Sequence, residues 1–159
     1  MQMSFKENDL IKIIELCIAE QIIAINEKEL NLKNKIKLDT APCLCDQSRI
    51  VQVIANILAN SIKFSPHKGN INISLSLITN SNKNSYYQIT ISDQGSGIPK
   101  DSLTKVFSKF YQTKESASNY KGTGLGLAIC KEIVDLHRGK IWAKNNTDMG
   151  CRIIIEIPK

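Results

Sequence analysis

No apolar run in this chain comes near the ~20 residues that a membrane-spanning helix needs. Its first nine residues, Met1 to Asp9, are polar and lack the hydrophobic core of a secretory leader. Both absences point to a cytoplasmic chain. Histidine is scarce, with only His67 and His137. Cysteine is odd in number, at positions 17, 43, 45, 130 and 151, which argues against a closed set of disulfides. Cys43 and Cys45 form only a C-x-C pair. A zinc site would need two further ligands, and both histidines lie far off in sequence. Cys17 and Cys130 fall within helical apolar patterns and read as buried, reduced thiols. No dense Lys/Arg run accompanies the net charge of +6. The scattered lysines suit a solvated surface with some positive field left for an anionic ligand, and not a nucleic-acid interface. Glycine is sparse as well: five of the eight lie in two clusters, at 95 and 97 and at 122, 124 and 126.

What is present is a regular alternation of periods. With 159 residues and no linker or internal repeat, the chain reads as one domain over 1–159 with room for a core. Apolar residues at helical spacing predict a helix over 10–25, with Asn8 as its cap. Residues 32–38 alternate as a strand. Asp46 caps a second helix that runs to about Lys63 and is stopped by Ser65-Pro66. Residues 71–78 and 86–92 alternate as two strands of a hairpin. Residues 112–123 are almost wholly polar and read as a mobile loop. Helical spacing returns over 124–137, with Gly139 as the stop, and strands follow at 140–144 and 151–157. The fold class expected is α/β: a two-layer sandwich in which a mixed, mostly antiparallel sheet is backed by three helices.

Three segments carry chemistry. On the second helix, Arg49, Gln52, Asn56, Asn60 and Lys63 share one stripe at 100° per residue, while the rest of the surface is apolar or small. Such a stripe faces solvent or a cleft. Asparagine is a poor helix former and an unusual choice for a plain solvent face, which favours the cleft. Asn56, Asn60 and Lys63 can then reach one ligand, an amide oxygen being able to bind Mg²⁺ and lysine to supply a point charge for phosphate. The second segment is Asp93-Gln94-Gly95-Ser96-Gly97-Ile98-Pro99, directly after a strand. Its glycines leave room for a flat ring, and Asp93 can accept from an exocyclic amine such as adenine N6. Alone, this pattern is weak evidence, and a plain turn is the ordinary reading. The third is Gly122-Thr123-Gly124-Leu125-Gly126-Leu127, where a loop becomes a helix and backbone N–H groups favour phosphate. The dinucleotide fingerprint and the Walker pattern G-x-x-x-x-G-K-[ST] are both absent. Just before the loop, Phe107-Ser108-Lys109-Phe110-Tyr111 reads as an aromatic anchor for one hinge.

Taken in order, these segments resemble the ATP-binding catalytic domain of bacterial sensor histidine kinases, one branch of the Bergerat-fold ATPases. NILANSIKFSP is similar to the family's N box, DQGSGIP to its G1 box, VFSKFYQ to its F box, and GTGLGLAICKEIVDLHRGKI to its G2 box. The resemblance runs from about residue 8 nearly to the end. It implies ATP and Mg²⁺ as ligands and a cleft closed by a lid. Asn60 would bind Mg²⁺ with support from Asn56, Lys63 would contact phosphate, and Phe64 would line the pocket. Asp93 would hold the adenine amine, with Gly95, Gly97 and Ile98 at the base. Gly122, Thr123, Gly124, Leu125 and Gly126 would form the hinge near the phosphates.

Three departures matter. Hydrolytic members of the wider group have glutamate four residues before the metal-binding asparagine. Asn56 stands there instead and cannot take a proton at neutral pH, which implies slow hydrolysis. Gly150-Cys151-Arg152-Ile153 replaces the family's G-T-x-F. Neither His67, in a turn, nor His137, at a helix end where capping is its expected role, matches a phosphoacceptor site. The γ-phosphate is therefore expected to go to a histidine on a separate dimerisation domain of the same kinase, with a response regulator reached indirectly and the isolated domain monomeric. An alternative of the same fold is a stand-alone anti-sigma-factor-type serine kinase, and a third reading is an ATP-sensing module without transfer.

Overall fold

A computed structural model describes residues 1–111 and 125–159. The chain opens with β1 (Lys6–Asp9), α1 (Leu10–Glu20) and α2 (Ile22–Glu27), followed by β2 (Asn31–Asn34) and β3 (Pro42–Cys45). The long helix α3 (Gln47–Phe64) leads into the hairpin β4 (Asn70–Thr79) and β5 (Ser85–Ser92). Two short 3-10 turns at Lys100–Ser102 and Lys105–Phe107 precede α4 (Gly126–Leu136), β6 (Lys140–Asn145) and β7 (Cys151–Pro158).

Five strands form one sheet in the order β2-β4-β5-β7-β6, with β2 parallel to β4 and every other pair antiparallel. The period-2 alternation sends Ile71, Ile73, Leu75, Tyr87, Ile89, Ile91, Ile153, Ile155 and Ile157 to one face, where they are buried. Ile50, Ile54, Ile57 and Leu58 of α3 join the same cluster, with Leu10, Ile14 and Cys17 of α1 and Cys130, Ile133 and Val134 of α4. This is the expected mixed sheet backed by helices. Cys17 and Cys130 are fully buried thiols, as their patterns implied.

Several local expectations need correction. The first helix is capped by Asp9, whose carboxylate accepts from the Ile11 N–H at 2.9 Å; Asn8 instead bonds to the β3 backbone through Cys45 O at 3.0 Å. The helix also breaks at Gln21, which turns Ile25 into the core and leaves Ile22 and Ile23 exposed. The strand at 32–38 is paired in register only over Asn31–Asn34, with one further bond from Lys35 N–H to Ile73 O at 2.8 Å; the next N–H, of Ile36, goes to the Asn34 side chain at 3.1 Å and not to β4. β1 and β3, paired antiparallel, have no counterpart in the sequence pattern: KEND carries no alternation, and its pairing depends on Cys43 and Cys45 being drawn into the core. Gly139 does not supply a left-handed stop, since Arg138 takes the positive φ of 58°. Glycine is needed at 139 for clearance, because a methyl there would lie 2.1 Å from Glu156 O.

Candidate nucleotide-binding site

The long helix α3 carries the candidate residues, and its sequence sets its ends. Asp46 caps α3 by accepting from the Arg49 N–H at 3.2 Å and the Ser48 hydroxyl at 2.8 Å. His137 holds the same end from outside. Its Nε2 accepts the Asp46 N–H at 3.0 Å, and its Nδ1 lies 2.8 Å from Ile133 O. A ring that accepts at Nε2 carries its proton on Nδ1 and donates it to that carbonyl. His137 thus caps α4, as expected, and also ties α4 to α3. At the other end of α3, the Lys28 ammonium donates to Ile62 O, Lys63 O and Ser65 O, each at 2.8 Å. Three otherwise orphaned carbonyls at a helix C-terminus thereby meet one cation, at the expense of partial desolvation that lowers the Lys28 pKa.

Between these clamps α3 presents Asn56, Asn60, Lys63 and Phe64, all half-buried, on a face otherwise sunk in the core. Two contacts show what that face meets. A methyl on Gly126, at the start of α4, would lie 3.6 Å from Asn56 Oδ1. A methyl on Gly95 would lie 2.7 Å from Phe64 O. Asn60 is one helical turn from both Asn56 and Phe64, so it stands between the start of α4 and the loop after β5. The Lys63 ammonium lies 5.5 Å from the centre of the Phe64 ring.

Asp93 closes that loop onto the helix. It is buried, with Oδ1 accepting from Gly95 N–H at 2.9 Å and Cys151 N–H at 3.3 Å. Oδ2 lies 3.7 Å from the Cys151 thiol, and the Ser61 hydroxyl of α3 also bonds the carboxylate. Burial raises the Asp93 pKa, although these donors pull it down. The same burial, with the Asp93 charge, pushes the Cys151 thiol up to about 12. Gly97 has a φ of 79°, the left-handed region open to glycine.

The structure therefore places Asn56, Asn60, Lys63 and Phe64 on one stripe of α3, with Gly126, after Leu125 at the start of α4, against Asn56 and Gly95 against Phe64; Asp93, Gly97 and Ile98 lie in the same loop after β5 as Gly95. Gly122, Thr123 and Gly124, together with the polar loop expected over 112–123, lie outside the described residues. The aromatic anchor is divided: Phe107 is buried and Tyr111 bonds through its hydroxyl to Ser102, whereas Phe110 is exposed at a positive φ of 62°. Reading the sequence missed Ser61, Cys151, Asn145 and Asn146. Ser61 is hidden among apolar helix residues, Asn145 and Asn146 follow a strand with no motif to mark them, and Cys151 stands out only as a departure from the family's G-T-x-F.

The family described as histidine kinase-, DNA gyrase B-, and HSP90-like ATPases matches residues 45–159. This chain belongs to that ATPase family. The segment that the family covers begins at the end of β3 and takes in every candidate site residue. The sensor histidine kinase WalK of Bacillus subtilis (strain 168) is 41% identical over 114 residues, which are 71% of this chain and 18% of WalK. The nucleotide-free catalytic domain of the histidine kinase ThkA is 31% identical, with 99% of each chain covered and a TM-score of 0.85. ThkA in complex with the response regulator protein TrrA superposes with a TM-score of 0.82 at 28% identity, over 99% of this chain and 42% of that one. The chain thus spans well under half the length of the curated relatives it matches. The Bergerat ATP-binding fold expected of this ATPase domain is the one it has. Among its described residues, no helix is long and apolar enough to cross a membrane.

Proposed function

We propose that this ATPase domain binds Mg-ATP and donates the γ-phosphate to a histidine on a dimerisation domain, as one step of two-component signal transduction. The observation that supports this reading is that the α3 stripe carrying Asn56 and Asn60 meets the start of α4 at Gly126 and the loop after β5 at Gly95, with the buried carboxylate Asp93 bonded to Ser61 of the same helix. Adenine enters between Asp93 and the Gly95–Ile98 backbone, where Asp93 accepts from the exocyclic amine. The phosphates run toward Lys63 and the start of α4, whose N–H groups favour anions.

The residues present fit Mg²⁺. Among the described residues no group of three His, Cys, Asp or Glu is placed to hold a metal ion. A divalent ion in this cleft would take one oxygen from Asn60 and the rest from phosphates and water, the donor set that Mg²⁺ accepts. When bound, it neutralises charge on the phosphates as the phosphoryl group departs. The protein's own part is to bind, to orient and to withhold a base. Asn56 cannot deprotonate water at neutral pH, so the γ-phosphate is kept for an imidazole supplied by another domain, and response regulators are reached only through that domain. The parent protein works in the cytoplasm, and the isolated domain is monomeric.

The test is labelling with γ-labelled ATP. The isolated domain remains unlabelled. Addition of a histidine-bearing dimerisation domain from the same protein gives label that is lost in acid and survives base. Acid-stable label on a partner serine would replace this reading with the anti-sigma-factor-type kinase. Failure to bind ATP at all would remove both.

A further inference from the structure

We propose that the asparagine pair at the end of β6, Asn145 and Asn146, is the positioning device that shapes the base-binding end of the cleft and sets its preference for adenine. The inference rests on the reading of Asp93 as the holder of the base. It adds a second strand whose side chains fix the geometry of that hold.

Asn145 places its primary amide against Ile98. Its Oδ1 accepts the Ile98 N–H at 2.8 Å, and its Nδ2 donates to Ile98 O at 2.6 Å. One side chain thereby occupies both backbone groups of a single loop residue, as a neighbouring strand would. The approach is close enough that a methyl on Gly97 would lie 3.0 Å from Asn145 Oδ1. Asn146 grips the other end of the loop: its Nδ2 donates to Asp93 O at 2.9 Å and lies 3.0 Å from Ser92 Oγ. From Asp93 to Ile98 the loop is therefore held at both ends by two consecutive amides that lie about fifty residues away in sequence.

The chemistry of the residue type is specific. Asparagine offers one acceptor and two donors on a short stem. Aspartate would keep the acceptor and set a second oxygen against Ile98 O. Asn145 itself is exposed, so it fills no core, and its contacts serve the loop and not the packing. A mobile loop must be ordered when the base binds, and that ordering is charged against affinity. A loop already held by Asn145 and Asn146 escapes most of it.

The experiment is calorimetric titration of ATP, ADP and GTP into wild type, Asn145→Ala, Asn145→Asp, Asn146→Ala and Asp93→Asn, with a thermal melt of each. Asn145→Ala weakens ATP and ADP by the same factor, about fivefold, because the phosphate contacts are untouched. GTP binding changes little, so the ATP:GTP preference shrinks, and the melt moves little. Asn145→Asp fails to restore affinity. The inference is overturned if Asn145→Ala keeps wild-type affinity and preference. It is equally overturned if ATP and GTP weaken together alongside a lowered melt, which is general loosening. Asn145→Ala decides the matter even where Asn146→Ala does not fold. Failure of the underlying reading has a different signature: Asp93→Asn binds ATP like wild type, and wild type shows no preference for ATP over GTP.

Discussion

Asp93→Asn separates binding from stability in a way that few substitutions can. In the wild type, Oδ1 is committed to the N–H groups of Gly95 and Cys151 at 2.9 and 3.3 Å; on the proposed reading the adenine amine adds to Oδ2, which the Cys151 thiol approaches only to 3.7 Å. Asparagine can keep its carbonyl oxygen on those two N–H groups. Its NH₂ then stands where the second oxygen was, and the adenine amine meets a donor. A hydrogen bond to a charged group contributes about 1.5–3 kcal/mol, so ATP binding should weaken by about 10- to 150-fold. Stability should move the other way. Burial raises the folded-state pKa of Asp93 above its unfolded value. The stabilising contribution of such a group is fully present below the unfolded pKa and is lost as pH rises through the folded pKa. At neutral pH the wild type therefore carries a buried charge that the amide does not, and the variant should melt at the same temperature or higher. Calorimetric titration and a thermal melt on the same samples test both halves. The wild type should also lose ATP affinity as the pH falls through the raised Asp93 pKa, and Asp93→Asn should not. ATP affinity within twofold of wild type in the variant, or a melt well below wild type, would refute the reasoning.

Lys28→Met removes the cation shared by three carbonyls at the end of α3 and should lower stability by about 1–3 kcal/mol, read from the urea midpoint, the partial desolvation of Lys28 keeping the figure below the sum of three separate bonds. His137→Ala should lower it by about 1–3 kcal/mol, because it leaves the buried Asp46 N–H without its acceptor, while Ile133 O keeps the backbone N–H of residue 137. Gly150→Ala should be worse than either, since φ is 79° and a methyl would lie 2.1 Å from Asp93 O; loss of the folded state by circular dichroism is the expected result. Cys151, with its thiol pushed up to about 12, should alkylate slowly at pH 8 by mass spectrometry and faster in Asp93→Asn, where the neighbouring negative charge is gone.

The elements that the sequence made legible are those whose side-chain period agrees with their burial. β4, β5 and β7 alternate cleanly because one face of each meets the helices, and α3 could be bounded at both ends from Asp46 and Ser65-Pro66. β1 escaped because Lys6–Asp9 is polar on both faces and owes its pairing to a partner more than thirty residues away in sequence. The break at Gln21 escaped because neither proline nor glycine marks it. In the candidate site, Asp93, Asn56 and Asn60 stood out in the sequence because each is an odd residue for its local setting: a carboxylate at a buried strand end and two amides within a helix. Asn145 and Asn146 were not, because asparagines after a strand are what any turn would carry. Their meaning depends on Ile98 and Asp93 lying opposite, which only the β5–β7–β6 register provides.

Ser61, Asp93, Asn146 and Cys151 come from four stretches of chain that meet only once the sheet has closed on α3. The arrangement needs the sheet and α3 together. Occupancy is therefore felt by the molecule as a whole: a ligand present at a hundred times its Kd should add about 2.7 kcal/mol to global unfolding. Residues as remote from the cleft as those at the far ends of the sheet should then gain protection from hydrogen exchange in step with those that touch the base.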